Sequence, residues 1–127
     1  MTKWLLIAVG GAFGSVMRYA MQGWVQRATS SSFPLGTLVV NLIGCALVGF
    51  LAATFTGPKL IREEYRLGII VGILGGFTTF STFGWETFSH INDRQFAFAA
   101  LNVALSCGLG ILAVWAGYRV SELVFGV

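Results

Sequence analysis

The sequence predicts an all-α integral membrane protein. It has four transmembrane helices in a single membrane domain, residues 1–127, with the third helix broken near its middle. Three observations lead there. First, 56% of the 127 residues are hydrophobic and only 10% charged, with a mean hydropathy of +0.80. A soluble domain of this size cannot bury so much apolar surface. Second, the charges are confined. None falls among the 25 residues from Phe33 to Gly57, the 19 from Leu67 to Trp85 or the 24 from Gln95 to Tyr118, and each run reaches the roughly 20 residues a helix needs to cross a bilayer core. Third, the stretch GGFTTFSTFGWE, Gly75 to Glu86, sets two adjacent glycines and four hydroxyls inside a run otherwise suited to lipid.

The first span, about residues 4–25, opens after Lys3 as WLLIAVGGAFG and is interrupted only by Arg18. A cleaved leader would end sooner. The apolar character continues past Arg18 and three further spans follow, so this segment is read as a membrane helix. Gly10 with Gly14, and Gly11 with Ser15, are four residues apart and share helix faces. Small residues so spaced let helices approach closely where lipid supplies no hydrophobic drive to associate. The second span, about 34–56, carries Gly36, Gly44 and Gly49 in the same role, with Asn41 one turn after Thr37. The fourth, about 95–121, pairs Ser106 with Gly110 and Ala113 with Gly117, and places Asn102 one turn before Ser106. The joining segments are too short to hold a further domain. Trp4, Trp24, Trp85 and Trp115 fall mostly near span ends, as interfacial anchors do.

The third span, about 67–89, carries the chemistry. Its entry, GIIVGILGGF, is apolar. A break is expected at Gly75-Gly76, because glycine loses most entropy when held helical and the following Thr78 and Thr79 offer the backbone competing hydrogen bonds. Freed backbone groups are tolerated at membrane depth only where protein, water or an ion meets them. Beyond the break, helical spacing sets Thr79, Thr82, Phe83 and Glu86 on one face, with Phe80 and Thr87 flanking it and Ser81 opposite.

The net charge of +3 is too weak and dispersed for a nucleic-acid partner. Basic residues inform topology instead. Lys3, Lys59, Arg62, Arg66 and Arg119 fall on one side, against Arg27 and Arg94 on the other with Arg18 toward it. This modest bias favours a cytoplasmic N-terminus. Cys45 and Cys107, one on each of two spans, have neither metal-site nor disulfide-framework spacing and read as small packing residues. His90 is the sole histidine, so no catalytic triad can be assembled, and the chain is not read as an enzyme. No acidic residue lies near a span centre, which disfavours a proton-coupled cation exporter. A non-transporting scaffold would leave the hydroxyl face idle. Hydroxyls, amides and aromatic ring edges best suit a small, strongly hydrogen-bonding anion. Four helices fill their own centre with side chains, so a pathway formed with a second copy, most simply as a twofold dimer, is expected.

GGFTTFSTF at 75–83, GTLVVNLIG at 36–44 and GGAFGSVMRY at 10–19 together resemble the Fluc (CrcB-type) fluoride channels, and the similarity covers essentially the whole chain. The resemblance implies an antiparallel, dual-topology homodimer in the inner (plasma) membrane. It also implies two passive fluoride-selective pores through which fluoride leaves the cytoplasm. The family's pore phenylalanines match Phe80 and Phe83, and its helix-2 asparagine matches Asn41. Its polar track matches Ser81, Thr82 and Ser106, with Thr79 a further member. A central structural sodium on the twofold axis would be held by carbonyls matching Gly75 and Thr78. Arg18 matches the helix-1 arginine and Glu86 a helix-3 carboxylate, each in a pore or structural role, as for Asn102, where relatives vary. The chain departs from some relatives at Gly110, where they continue the hydroxyl line of the fourth helix.

Overall fold

The computed structural model describes residues 1–56 and 60–126. Lys59, counted above in the charge bias, lies outside the described residues. Four helical spans are long and apolar enough to cross a membrane, and the protein is a multi-pass membrane protein. Helix α1 (Thr2–Thr29) ends at Ser30, whose left-handed φ of 48° caps it through an N–H to the Gln26 carbonyl. Helix α2 (Leu35–Thr56) follows. The third span is composite: α3 (Glu63–Leu67), a π-helical stretch Gly68–Leu74, and α4 (Gly75–Phe77) precede a break, and α5 (Phe80–Asn92) completes it. Three residues, Asp93 to Gln95, then lead into α6 (Phe96–Phe125).

Two parallel pairs make the architecture. The first half of the third span lies along α1. A Cβ built on Gly10 would sit 2.5 Å from the Gly68 carbonyl oxygen, one on Gly72 would sit 2.9 Å from the Ile7 oxygen, and one on Gly14 would overlap the Ile73 oxygen. Helix α6 lies along α2, where Gly49 meets the Val114 carbonyl and Gly117 meets that of Ala46. These small residues allow the backbone-to-backbone contact that their spacing predicts. The π-helical turn was not legible in the sequence. It coincides with the stretch whose glycines, Gly68 and Gly72, press bare backbone against α1.

At the far end of the α2–α6 seam, the Thr54 and Ser121 hydroxyls bond at 2.9 Å in a fully buried setting. Thr54 also directs its proton at the Phe50 carbonyl, 2.8 Å away, so Ser121 is the donor. A Thr54→Val, Ser121→Ala double-mutant cycle in thermal unfolding should return a coupling of about 1 kcal/mol. A coupling of zero would remove this bond from the stabilising contacts of the seam.

Candidate functional site

The break falls three residues beyond the expected position. Gly75 is helical (φ −63°, ψ −37°) and so is Gly76, whereas Thr78 (ψ 157°) and Thr79 (φ −148°, ψ 118°) are extended. The expectation of a break at the glycine pair is therefore corrected, and the cause is local. A Cβ on Gly76 would lie 2.6 Å from the Gly11 carbonyl oxygen, so this glycine serves close packing on α1. The threonines carry what a helix terminus requires: the Thr79 hydroxyl accepts the Thr82 N–H at 3.2 Å and caps α5.

The interrupted backbone can be accounted for group by group. Leu74 accepts from both the N–H and the hydroxyl of Thr78, each at 3.0 Å. The Arg18 Nε–H donates to the Gly76 carbonyl at 3.0 Å, tying α1 to the end of α4. Asn41 on α2 treats Thr79 as a strand would. Its Oδ1 accepts the Thr79 N–H at 2.8 Å, and its Nδ2–H donates to the Thr79 carbonyl at 3.0 Å. No donor among the described residues reaches the carbonyls of Gly75, Phe77 or Thr78, and the N–H groups of Phe80 and Ser81 find no described acceptor. Helix ends carry partial charge, positive at the N-terminus of α5 and negative at the C-terminus of α4. The break thus sets an anion-favouring end and a cation-favouring end beside each other at membrane depth.

A cavity of about 360 Å³ opens at this point. Asn41, Gly75, Thr78, Thr79, Phe80, Phe83 and Ser106 all line it, seven of the positions the sequence singled out. The Phe80 and Phe83 rings are 5.3 Å apart and tilted at 48°. They differ sharply in exposure: Phe83 is 9% exposed and packs inward, while Phe80 is 82% exposed and projects from the protein. The hydroxyls extend the polar surface from here. Thr79 donates to Thr82 at 3.0 Å and lies 3.3 Å from the exposed Ser81 hydroxyl, so Ser81, expected on the opposite face, joins the same hydroxyl cluster at the start of α5.

Ser81, Thr82, Arg18, Glu86 and Asn102 are not in the cavity wall. Asn102, 2% exposed, accepts from Ser106 at 3.4 Å and donates to Thr87 at 3.0 Å, linking α6 to α5. Glu86 ends a chain in which the Gln22 side chain donates to Thr37 (2.8 Å) and Thr37 donates to Glu86 Oε1 (2.6 Å). Its Oε2 is buried without a partner among the described residues. Sequence reasoning missed Gln22, and it noted Thr37 and Thr87 without giving either a partner. A polar residue at membrane depth on α1, and a threonine one turn from Asn41, were the signals that could have found the first two.

The chain matches the model of the family described as CrcB-like protein, Camphor Resistance (CrcB), over residues 5–118. It is 47% identical over 117 residues to the fluoride-specific ion channel FluC of Geobacter sulfurreducens, covering 92% of this chain and 94% of that one. It is 44% identical over 116 residues to the protein of the same name from Solibacter usitatus (91% and 94% covered). A third such protein, from Geobacter metallireducens, is 42% identical over 111 residues (87% and 90%). With a family match over nearly its whole length and relatives at this identity, the chain belongs to the CrcB-like family.

Proposed function

We propose that the protein is a passive, fluoride-selective channel that lets fluoride out of the cytoplasm across the inner membrane. It works as an antiparallel homodimer with two pathways and performs no catalysis. Support comes from the names of its relatives and from one structural observation. The break in the third span brings Phe80 with its unpaired N–H, the Asn41 amide, the hydroxyl residues Thr78, Thr79 and Ser106 and the Phe83 ring around one cavity, with the Phe80 ring left projecting outward. Fluoride holds its hydration shell tightly, so a pathway must replace water with comparable donors. The second Nδ2–H of Asn41, the hydroxyls of Ser81 and Thr82, those of Thr79 and Ser106 once they turn from Thr82 and Asn102, and the positive ring edges of Phe80 and Phe83 are such groups. The partial positive charge of the α5 N-terminus favours an anion at the same level. Chloride, larger and a weaker hydrogen-bond acceptor, recovers less from these donors.

A second copy is part of the reading. Phe80, which lines the cavity and is 82% exposed, requires a facing surface to enclose an ion against its ring edge. The carbonyls of Gly75 and Thr78, which line the cavity and carry no hydrogen bond from the described residues, suit a hard cation. Paired across a twofold axis, they would hold the structural sodium, whose charge would offset the negative end of α4 inside the membrane. Arg18 fixes the neighbouring Gly76 carbonyl and thereby keeps the end of α4 in place.

Purified protein in liposomes, followed with a fluoride electrode, should release fluoride without a proton gradient and retain chloride. Equal leakage of both halides would contradict the reading. In the same assay Phe80→Ile, which keeps bulk but removes the ring edge, should slow fluoride roughly tenfold or more, as loss of about 1.4 kcal/mol would. Undiminished flux through that variant would remove Phe80 from the pathway.

A further inference from the structure

The two cysteines, distant in sequence, line the same cavity as Asn41, Phe80, Phe83 and Ser106. Cys45 lies on α2 and directs its thiol at α6: a Cβ built on Gly110 would sit 3.7 Å from Cys45 Sγ. Cys107 is three residues before Gly110, one turn along α6, and is exposed. Positions three apart are neighbours on a helix face. The absence of a side chain at Gly110 leaves the Cys45 thiol room against α6. Neither cysteine is in a disulfide.

We infer that Cys45 and Cys107 form a two-thiol site for a soft, thiophilic metal ion, and that an ion bridging them blocks the cavity. The inference rests on the reading of this cavity as the fluoride pathway. The ligand class follows from the donor set. Among the described residues no group of three or more histidine, cysteine or acidic side chains could hold a metal, so a four-coordinate zinc site is not built here. Two sulfurs alone suit ions that accept linear two-coordination, such as mercuric, silver or cuprous ions. With the mercuric ion each thiol gives up its proton to solvent as its sulfur bonds to the metal, one ion and two thiols yielding a neutral dithiolate and two protons. A neutral product is tolerated in the apolar cavity, where a bare thiolate would not be.

The test uses the full chain in liposomes, with the mercuric ion as probe. Fluoride release should stop at about one ion per chain, and both thiols should lose maleimide reactivity together. Excess small-molecule thiol should restore both. Cys45→Ser and Cys107→Ser, each normalised to its own basal flux, should raise the half-blocking concentration at least about tenfold, as loss of one of two sulfur ligands requires. Cys45→Ala replaces Cys45→Ser if the hydroxyl disturbs folding. Two ions per chain, single variants as sensitive as the parent, or block of the double variant would overturn the inference. Thiol titration needs no flux: a chain that binds one ion across both thiols yet passes no fluoride would uphold the site and reject the proposed function. A conducting chain that binds two ions would do the reverse.

Discussion

Asn41→Leu is expected to unfold the centre of the protein and abolish fluoride flux, whereas Asn41→Asp should fold less stably and conduct far more slowly. The amide of Asn41 satisfies both backbone groups of Thr79, at 2.8 and 3.0 Å, and Thr79 is buried. Leucine leaves both unpaired where lipid offers no substitute. At about 1–3 kcal/mol for each orphaned group, the cost approaches the whole stability of many domains. Aspartate keeps the acceptor for the Thr79 N–H but cannot donate to the Thr79 carbonyl, so one group is lost rather than two. If ionised, it also places a negative charge on the cavity wall. Two unit charges about 4 Å apart repel by about 4 kcal/mol at an effective dielectric constant of 20, which corresponds to at least roughly a hundredfold slower passage of an anion. Thermal unfolding in detergent separates the stability term, and fluoride release from liposomes reads the second. The pairing role fails if the leucine variant melts with the parent, and the pathway role fails if the aspartate variant conducts at the parental rate.

The reason Asn41 matters was only half legible in the sequence. An asparagine at membrane depth announces a buried partner, yet nothing in the linear order indicates whether that partner is another helix's side chain, an ion or a peptide group. The break behaved similarly. Glycine propensity pointed to Gly75-Gly76, but propensity is a weak prior, and here tertiary contact decides: Gly76 is held helical against the Gly11 carbonyl, and extended backbone appears where Thr79 can cap α5 and pair with Asn41. Four membrane-length helices could be read from charge-free runs because that signal depends on composition alone. The π-helical turn, and the chain from Gln22 through Thr37 to Glu86, depend on how α1, α2 and α5 settle against one another. Local sequence does not encode that. Part of the cavity wall was legible, because helical periodicity groups Thr79 and Phe83 while the motif stretches mark Asn41 and Phe80; Val48, Ile70 and Leu74, which also line it, carry no signal that separates them from lipid-facing residues. The contrast between an inward Phe83 and an outward Phe80 was not, since both lie near one face of α5.

Glycine was read from the sequence as packing, and the α2–α6 seam makes that reading quantitative. Gly49→Ala and Gly117→Ala should each prevent assembly of a stable protein, while Gly110→Ala on the same helix as Gly117 should be tolerated. The three positions are all buried, so burial cannot distinguish them. What a methyl group would meet can. At Gly49 it would lie 2.8 Å from the Val114 carbonyl carbon, and at Gly117 2.9 Å from that of Ala46, closer than real carbon contacts allow and against backbone that cannot rotate away. At Gly110 the nearest atom is Cys45 Sγ at 3.7 Å, an ordinary contact with a side chain. Overpacking of this kind costs about 1–3 kcal/mol, or more where the neighbour is rigid, and both clashes lie on the one seam between α2 and α6. Separating those helices would also draw Ser106 on α6 away from the cavity that Asn41 on α2 lines with it, so the cavity would be lost together with the fold. Size-exclusion profiles and melting temperatures in detergent should therefore rank the variants as parent and Gly110→Ala together, with Gly49→Ala and Gly117→Ala far below. Equal stability across all three would mean that α2 and α6 do not meet backbone to backbone, and with that contact would go the geometry that brings Ser106 to the cavity wall.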